Sequence, residues 1–179
     1  MAPLTIRLAT ADDVAALSAL RTAVASDLTR QYGKGHWSAP VSERGAAIAL
    51  RHARVLLLHD ARVLAGTLRL ANKKPWAIDT SYFTAVPRAI YLTDMAVDPS
   101  RQRQWIGRRL VAEAIAMARE WPADAIRLDA YDAPAGAGEF YAKCGFREVA
   151  RVVYRTVPLV YYERLIEPHP GADTRRPRG

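Results

Sequence analysis

The residues with the most chemical potential lie between a strand ending in Asp98-Pro99 and a helix opening near Gly107. The intervening stretch, Gln102-Arg103-Gln104-Trp105-Ile106-Gly107, is short, polar and basic. The first turn of a helix leaves backbone N–H groups without partners, and the helix dipole adds about half a positive charge there. A phosphate or pyrophosphate is a natural occupant of such a place. Arg101, Arg103, Arg108 and Arg109 add formal charge around it. Other chemistries have less support. Cys144 is the sole cysteine, with no histidine near it in sequence, and reads as structural. His36, His52, His59 and His169 show no metal-ligand spacing, so no metal is expected. No Gly-x-x-x-x-Gly-Lys phosphate loop occurs.

The elements that must position this turn follow from periodicity. Thr5–Ala9 alternates as a short strand. Thr10, with Asp13 three residues on, opens a helix carrying Val14, Leu17, Leu20, Val24 and Leu28 at helical spacing. Gln31–Trp37 reads as a loop, and Ser42 caps a second helix from Glu43 to about His52. Val55–His59 and Val63–Ala71 form a hairpin over the turn Asp60-Ala61-Arg62. Asn72–Pro87 is an irregular segment, long for a compact domain. Ala89–Val97 is the strand before the basic turn. Ile106, Leu110, Val111, Ala114, Ile115 and Ala118 mark one face of a helix ending near Trp121-Pro122. A strand at Ile126–Tyr131, a helix at Ala133–Lys143 stopped by Gly145, and strands at Phe146–Val153 and Val157–Leu165 complete the chain. The order β-α-α-β-β-β-α-β-α-β-β predicts an α/β (α+β) fold: one mixed sheet with helices on its faces.

At 179 residues, half of them hydrophobic, the chain suits one domain with a substantial core. We expect that domain to span residues 1–166, followed by a basic disordered tail, 167–179, with three arginines near its end. No apolar run approaches the roughly 18 residues of a membrane span, and the N-terminus has no signal-peptide pattern. With one cysteine, the expected location is cytoplasmic, with no membrane partner. The net charge of +8 attracts anions in general, but the chain has no nucleic-acid-binding motif, and nucleic acid is not an expected partner.

Two blocks resemble the GNAT superfamily of acetyl-CoA-dependent N-acetyltransferases. Met95-Ala96-Val97-Asp98-Pro99 followed by Gln102–Gly107 is similar to its strand and pyrophosphate motif, Gln/Arg-x-x-Gly-x-Gly/Ala. The first glycine position holds Trp105, whose indole is expected to point outward from the turn. Glu139-Phe140-Tyr141-Ala142-Lys143-Cys144-Gly145-Phe146 resembles the Phe-Tyr-x-x-x-Gly-Phe signature. The resemblance covers roughly residues 4–165. It implies a mostly antiparallel sheet splayed between two strands, with acetyl-CoA as co-substrate. Met95, Ala96 and Val97 would pair with the pantetheine arm. Gln102, Arg103, Gln104, Trp105, Ile106, Gly107 and Arg108 would hold the pyrophosphate. Tyr141 would protonate the departing thiolate.

The attacking amine must be neutral, and Asp94 is the first candidate for the base that deprotonates it, with Tyr91 and Thr93 as alternatives that could hold a water. Strand parity puts Asp94 on the opposite face from Thr93 and Met95. Tyr32, His36, Trp37, Trp76, Asp79, Tyr82 and Phe83 lie in the segments that usually build the acceptor site. Of these, Tyr32, Trp37, Trp76 and Tyr82 are the candidate acceptor contacts, and rim packing or a homodimer contact is the equal alternative. The expected reaction is acetyl transfer to a primary amine of a small molecule by direct attack. The alternative is a protein that binds acyl-CoA with little turnover.

Overall fold

In the computed structural model, which describes residues 3–167, the predicted element order holds. The tail expected to be disordered lies outside these residues, apart from Glu167. Strands β1 (Leu4–Leu8), β2 (Arg54–Asp60), β3 (Val63–Ala71), β4 (Ala89–Val97), β5 (Ala125–Tyr131), β6 (Arg147–Tyr154) and β7 (Val157–Leu165) form one sheet, ordered β1-β2-β3-β4-β5-β7-β6. Only β4–β5 is parallel; every other pairing is antiparallel. The helices are α1 (Val14–Tyr32), α2 (Glu43–His52), α3 (Ile106–Glu120) and α4 (Gly138–Lys143).

The β4–β5 ladder is short. Ala89–Tyr91 pair with Ala125–Arg127, and pairing then stops. From Leu92 onward β4 keeps β3 on one side but has no sheet partner on the other among the described residues. This is the splay that the resemblance implied. It leaves unpaired N–H and C=O groups, which a ligand or water must satisfy.

Two faces of the sheet are buried by different helices. Leu56, Leu58, Leu68, Leu92, Ile126 and Leu128 pack with Leu110, Val111 and Ala114 of α3 in the main core. Val55 and Leu57, on the opposite parity, pack with Leu17 of α1 and Ala46 of α2. Farther along, Tyr91, Leu159 and Tyr161 meet Ile78 and Phe83 in a third cluster.

Two local expectations change. Tyr32 belongs to the last turn of α1, not to the loop after it. Helix α4 begins at Gly138, not Ala133, because residues 133–137 form a tight turn. Here the Gly136 N–H donates to Ala133 O at 2.8 Å, and a Cβ on Gly136 would lie 1.9 Å from the Tyr131 carbonyl oxygen. The long segment between β3 and β4 is pinned. Ile78 and Phe83 are buried, Thr84 Oγ1 donates to Glu163 at 2.6 Å, and Arg127 donates to the Thr84 carbonyl at 2.5 Å.

Candidate active site

A cleft of about 530 Å³ opens beside the end of β4 that β5 leaves unpaired. Its walls come from β4 (Met95, Ala96, Val97), from Arg101–Arg103 and Trp105–Arg108, and from α4 (Phe140, Tyr141). Val24 and Leu28 of α1 close the side facing away from the core. Gln104 is the one member of the predicted pyrophosphate set that does not border the cleft.

The turn owes its shape to local interactions. Asp98 accepts from the Ser100 N–H at 2.9 Å and from its hydroxyl at 2.7 Å, which tightens Pro99–Arg101 into a single turn. Arg101 is tied to Asp60 by an ion pair. Arg103 and Trp105 both adopt left-handed backbone conformations, at φ 62° and φ 66°. Arg109 N–H is the first to bond back along α3, to Trp105 O at 2.9 Å. The amides of Ile106, Gly107 and Arg108, ahead of it, have no acceptor within the helix. Gly107 serves close packing: a Cβ there would come within 3.1 Å of Met95 Cε and of Phe140 Cζ. A glycine would suit position 105, because φ 66° is free of strain only without a side chain. A bulky residue in that region costs about 1–3 kcal/mol. Trp105 nevertheless occupies it, with its indole 67% exposed and Arg108 5.0 Å from its ring centroid.

At the inner end, Tyr141 is 6% exposed, and its hydroxyl lies 3.6 Å from Met95 Sδ. Burial pushes its phenol well above the ordinary range, and the nearby charge of Asp129 adds to the shift. The hydroxyl therefore keeps its proton and remains a donor. Phe140, Phe146 and Tyr162 fix its ring by edge and tilted contacts at 5.3–6.2 Å. Burial likewise raises the Cys144 thiol, which works against a thiolate there.

Asp94 occupies a different place from the one strand parity predicts. Thr67 pairs with Ala96 and Arg69 with Thr93, so β4 has one extra residue opposite Leu68. Asp94 sits in this bulge at φ 54°. The bulge turns its carboxylate toward the same guanidinium that Thr93 meets. Arg69 Nε lies 2.8 Å from Thr93 Oγ1 and 3.1 Å from Asp94 Oδ2. Arg21 of α1 holds Oδ1 at 2.6 Å. Both oxygens are thus engaged by guanidiniums, one from α1 and one from β3. Tyr91 is buried within the third cluster.

A second acid, absent from the sequence-based candidates, lies across the splay. Asp129 is on β5, with Leu128 and Ala130 directed into the main core on the other face. Tyr131, two residues on, shares its face. No side chain among the described residues pairs with Asp129. Burial raises its carboxyl above the ordinary value, and the charge of Asp94 raises it further. The signal was in the sequence, a lone acid within the apolar run Ile126–Ala130, but its isolation from cations depends on the tertiary structure.

The predicted acceptor aromatics divide. His36 stacks on Tyr131 at 6.4 Å, and Trp37 meets the same ring edge-on at 5.7 Å. Tyr82 meets Tyr161 edge-on at 5.9 Å, and Phe83 stacks on Tyr161 at 5.3 Å. Asp79 is occupied with capping Ser81. Trp76, 84% exposed, and Tyr32, about half exposed, join neither group. Among the described residues no helix is long and apolar enough to cross a membrane, and no three metal-ligating side chains converge.

A sheet that opens beside an anion-ready helix start, with a buried phenol at the bottom of the opening, is the architecture of an acyl-group transferase. The chain belongs to the acetyltransferase (GNAT) family, which it matches over residues 21–146. No curated protein matches it. Solved structures share its fold at low identity. An N-acetyltransferase from Staphylococcus aureus Mu50 superposes with a TM-score of 0.69 at 15% identity, covering 93% of this chain and 100% of that one. The yncA protein of Salmonella typhimurium, solved with its cofactor acetyl-CoA, gives 0.68 at 18%, covering 96% and 98%. The ribosomal-protein-S18-alanine N-acetyltransferase of Escherichia coli gives 0.70 at 18%, covering 95% and 98%.

Proposed function

We propose that the protein transfers the acetyl group of acetyl-CoA to a primary amine of a small molecule by direct attack in a ternary complex. The observation that carries this reading is the cleft itself, with free helix amides at one end and the neutral, buried Tyr141 hydroxyl at the other. The residues present fit the cofactor. The amides of Ile106–Arg108 with the Arg103 and Arg108 side chains suit a pyrophosphate, and the unpaired edge of β4 at Met95–Val97 suits an amide-bearing arm. Acetyl-CoA supplies the activated acyl thioester.

The chain's own residues divide the proton work. Asp129, without a cation beside it, takes the proton of the attacking ammonium, directly or through a water. Tyr141 gives a proton to the sulfur as the C–S bond breaks and the C–N bond forms. Asp94 is a positioning residue: its two arginines tie α1 to β3 and β4 across the opening. The acceptor enters on the Asp129 face, where Tyr131, His36 and Trp37 form an aromatic rim that suits an amine. Cytoplasmic residence agrees with this chemistry.

A panel of small amines, with thiol release followed spectroscopically, tests the reading. Release above the hydrolysis background with at least one amine, accompanied by its acetylated product, is the expected result. Acetyl-CoA binding without release across the panel would replace it with a protein that binds acyl-CoA and does not turn it over. Trp105, in the family's glycine position, is the feature that favours that second reading.

A further inference from the structure

We infer that Trp105 is a stacking platform for the purine ring of the CoA nucleotide, so that this chain binds its cofactor by the nucleotide end more than a glycine at that position would allow. The inference rests on the cofactor reading above and extends it to a contact that the pyrophosphate motif does not contain.

Three observations converge on this contact. The first is strain: Trp105 holds a left-handed backbone conformation at φ 66°, ψ 0°, where an aromatic residue is costly. A strained, bulky residue at a site boundary points to a role for its side chain. The second is exposure: Trp105 is 67% exposed and borders the cleft, so it does not serve the core. The third is polarity along the cleft. The cleft is apolar at Met95, Phe140 and the buried Tyr141. Its exposed part is cationic, at Arg103 and Arg108. A CoA thioester laid with its acyl end at Tyr141 and its pyrophosphate on the α3 amides carries its adenosine to that exposed part. A flat purine with a nearby phosphate matches an indole with guanidiniums around it. Arg108 lies over the indole at 5.0 Å, on the side of α3. Arg108 and the purine would then flank the ring, and no carboxylate among the described residues neutralises Arg103 or Arg108.

The test is calorimetric, with two ligands and three proteins. Wild type, Trp105→Gly and Trp105→Phe are titrated with acetyl-CoA and with S-acetylpantetheine, which lacks the nucleotide. The glycine variant relieves backbone strain, so it is expected to fold. The expected result is a roughly tenfold weaker acetyl-CoA Kd for Trp105→Gly, with S-acetylpantetheine unchanged and Trp105→Phe within about threefold of wild type. Unchanged or tighter acetyl-CoA binding by Trp105→Gly overturns the stacking role, as does equal weakening for both ligands. Failure of the wild-type protein to bind acetyl-CoA at high micromolar concentration overturns the cofactor reading beneath it, which is a different result.

Discussion

Two aspartates lie on the neighbouring strands β4 and β5, near enough for the charge of one to act on the other, and their surroundings differ completely. Asp94, on the β4 side, has a guanidinium on each oxygen. Asp129, on the β5 side, has none, and burial raises its carboxyl. The same functional group thus serves two ends. On the β4 side a charge is fixed in place as part of the scaffold. On the β5 side the carboxyl has no cation beside it, which suits the proton acceptor we propose. Chain position gave Asp94 the stronger claim to catalysis, because it precedes the basic turn. Environment favours Asp129 in our proposal, since both Asp94 oxygens are already held by arginines and Asp129 has no cation beside it.

Exchanging each acid for its amide separates the two roles most sharply. Asp129→Asn should lower kcat by about 10²–10⁴ while the thermal midpoint holds or rises. The stability sign follows from linkage. A carboxyl raised in the fold favours the protonated form, and its stabilising contribution is lost as pH rises through the folded value. At neutral pH an amide is therefore no worse than the native acid. Asp94→Asn should do the reverse. It leaves Arg21 and Arg69 without their shared anion and costs about 1–3 kcal/mol of stability, read by denaturant unfolding. Any loss of turnover it causes should come from the displaced α1, seen chiefly in KM for the amine.

The next largest effect belongs to the acid we propose on the other side of the chemistry. Tyr141→Phe should reduce kcat by about 10² with little change in acetyl-CoA affinity, because the ring packing survives and only the hydroxyl is lost. Unchanged turnover would remove Tyr141 from the proton path. A smaller effect tests the acceptor side. Trp37→Ala should raise KM for the amine by roughly threefold to tenfold, since it removes the edge contact on Tyr131. Trp76→Ala should change neither constant, as Trp76 stacks on no other ring among the described residues.

The comparison also shows what the amino-acid sequence discloses and what it withholds. Among the described residues, periodicity located the strands and the longer helices, as with Ile106, Leu110 and Ala114 on α3 and Ile126 and Leu128 on β5, while the Ser42 cap and the stop at Gly145 marked α2 and α4. The early end of β4–β5 pairing followed from the family resemblance, since no residue of β4 announces it. The bulge at Asp94 was hidden, because a bulge depends on the register between β3 and β4 and one extra residue reverses side-chain parity. Asp129 was hidden for a related reason. Its importance lies in the cations it does not meet, and the sequence places Arg127 only two residues away. That arginine is committed elsewhere, to Glu163 at 3.3 Å and to the Thr84 carbonyl. The α4 start was misplaced because Pro134 and Gly136 shape a turn that helix propensity alone does not reveal.

The pH dependence of kcat/KM bears most directly on which acid is the base. For the wild type, activity should fall toward acid through an inflection above the ordinary aspartate value of about 3.9, because the acceptor carboxyl must be ionised to take a proton. The Asp94→Asn profile should keep this limb, and the Asp129→Asn profile should lose it along with most of the rate. An acid limb that persists unchanged in Asp129→Asn and disappears in Asp94→Asn would contradict the account.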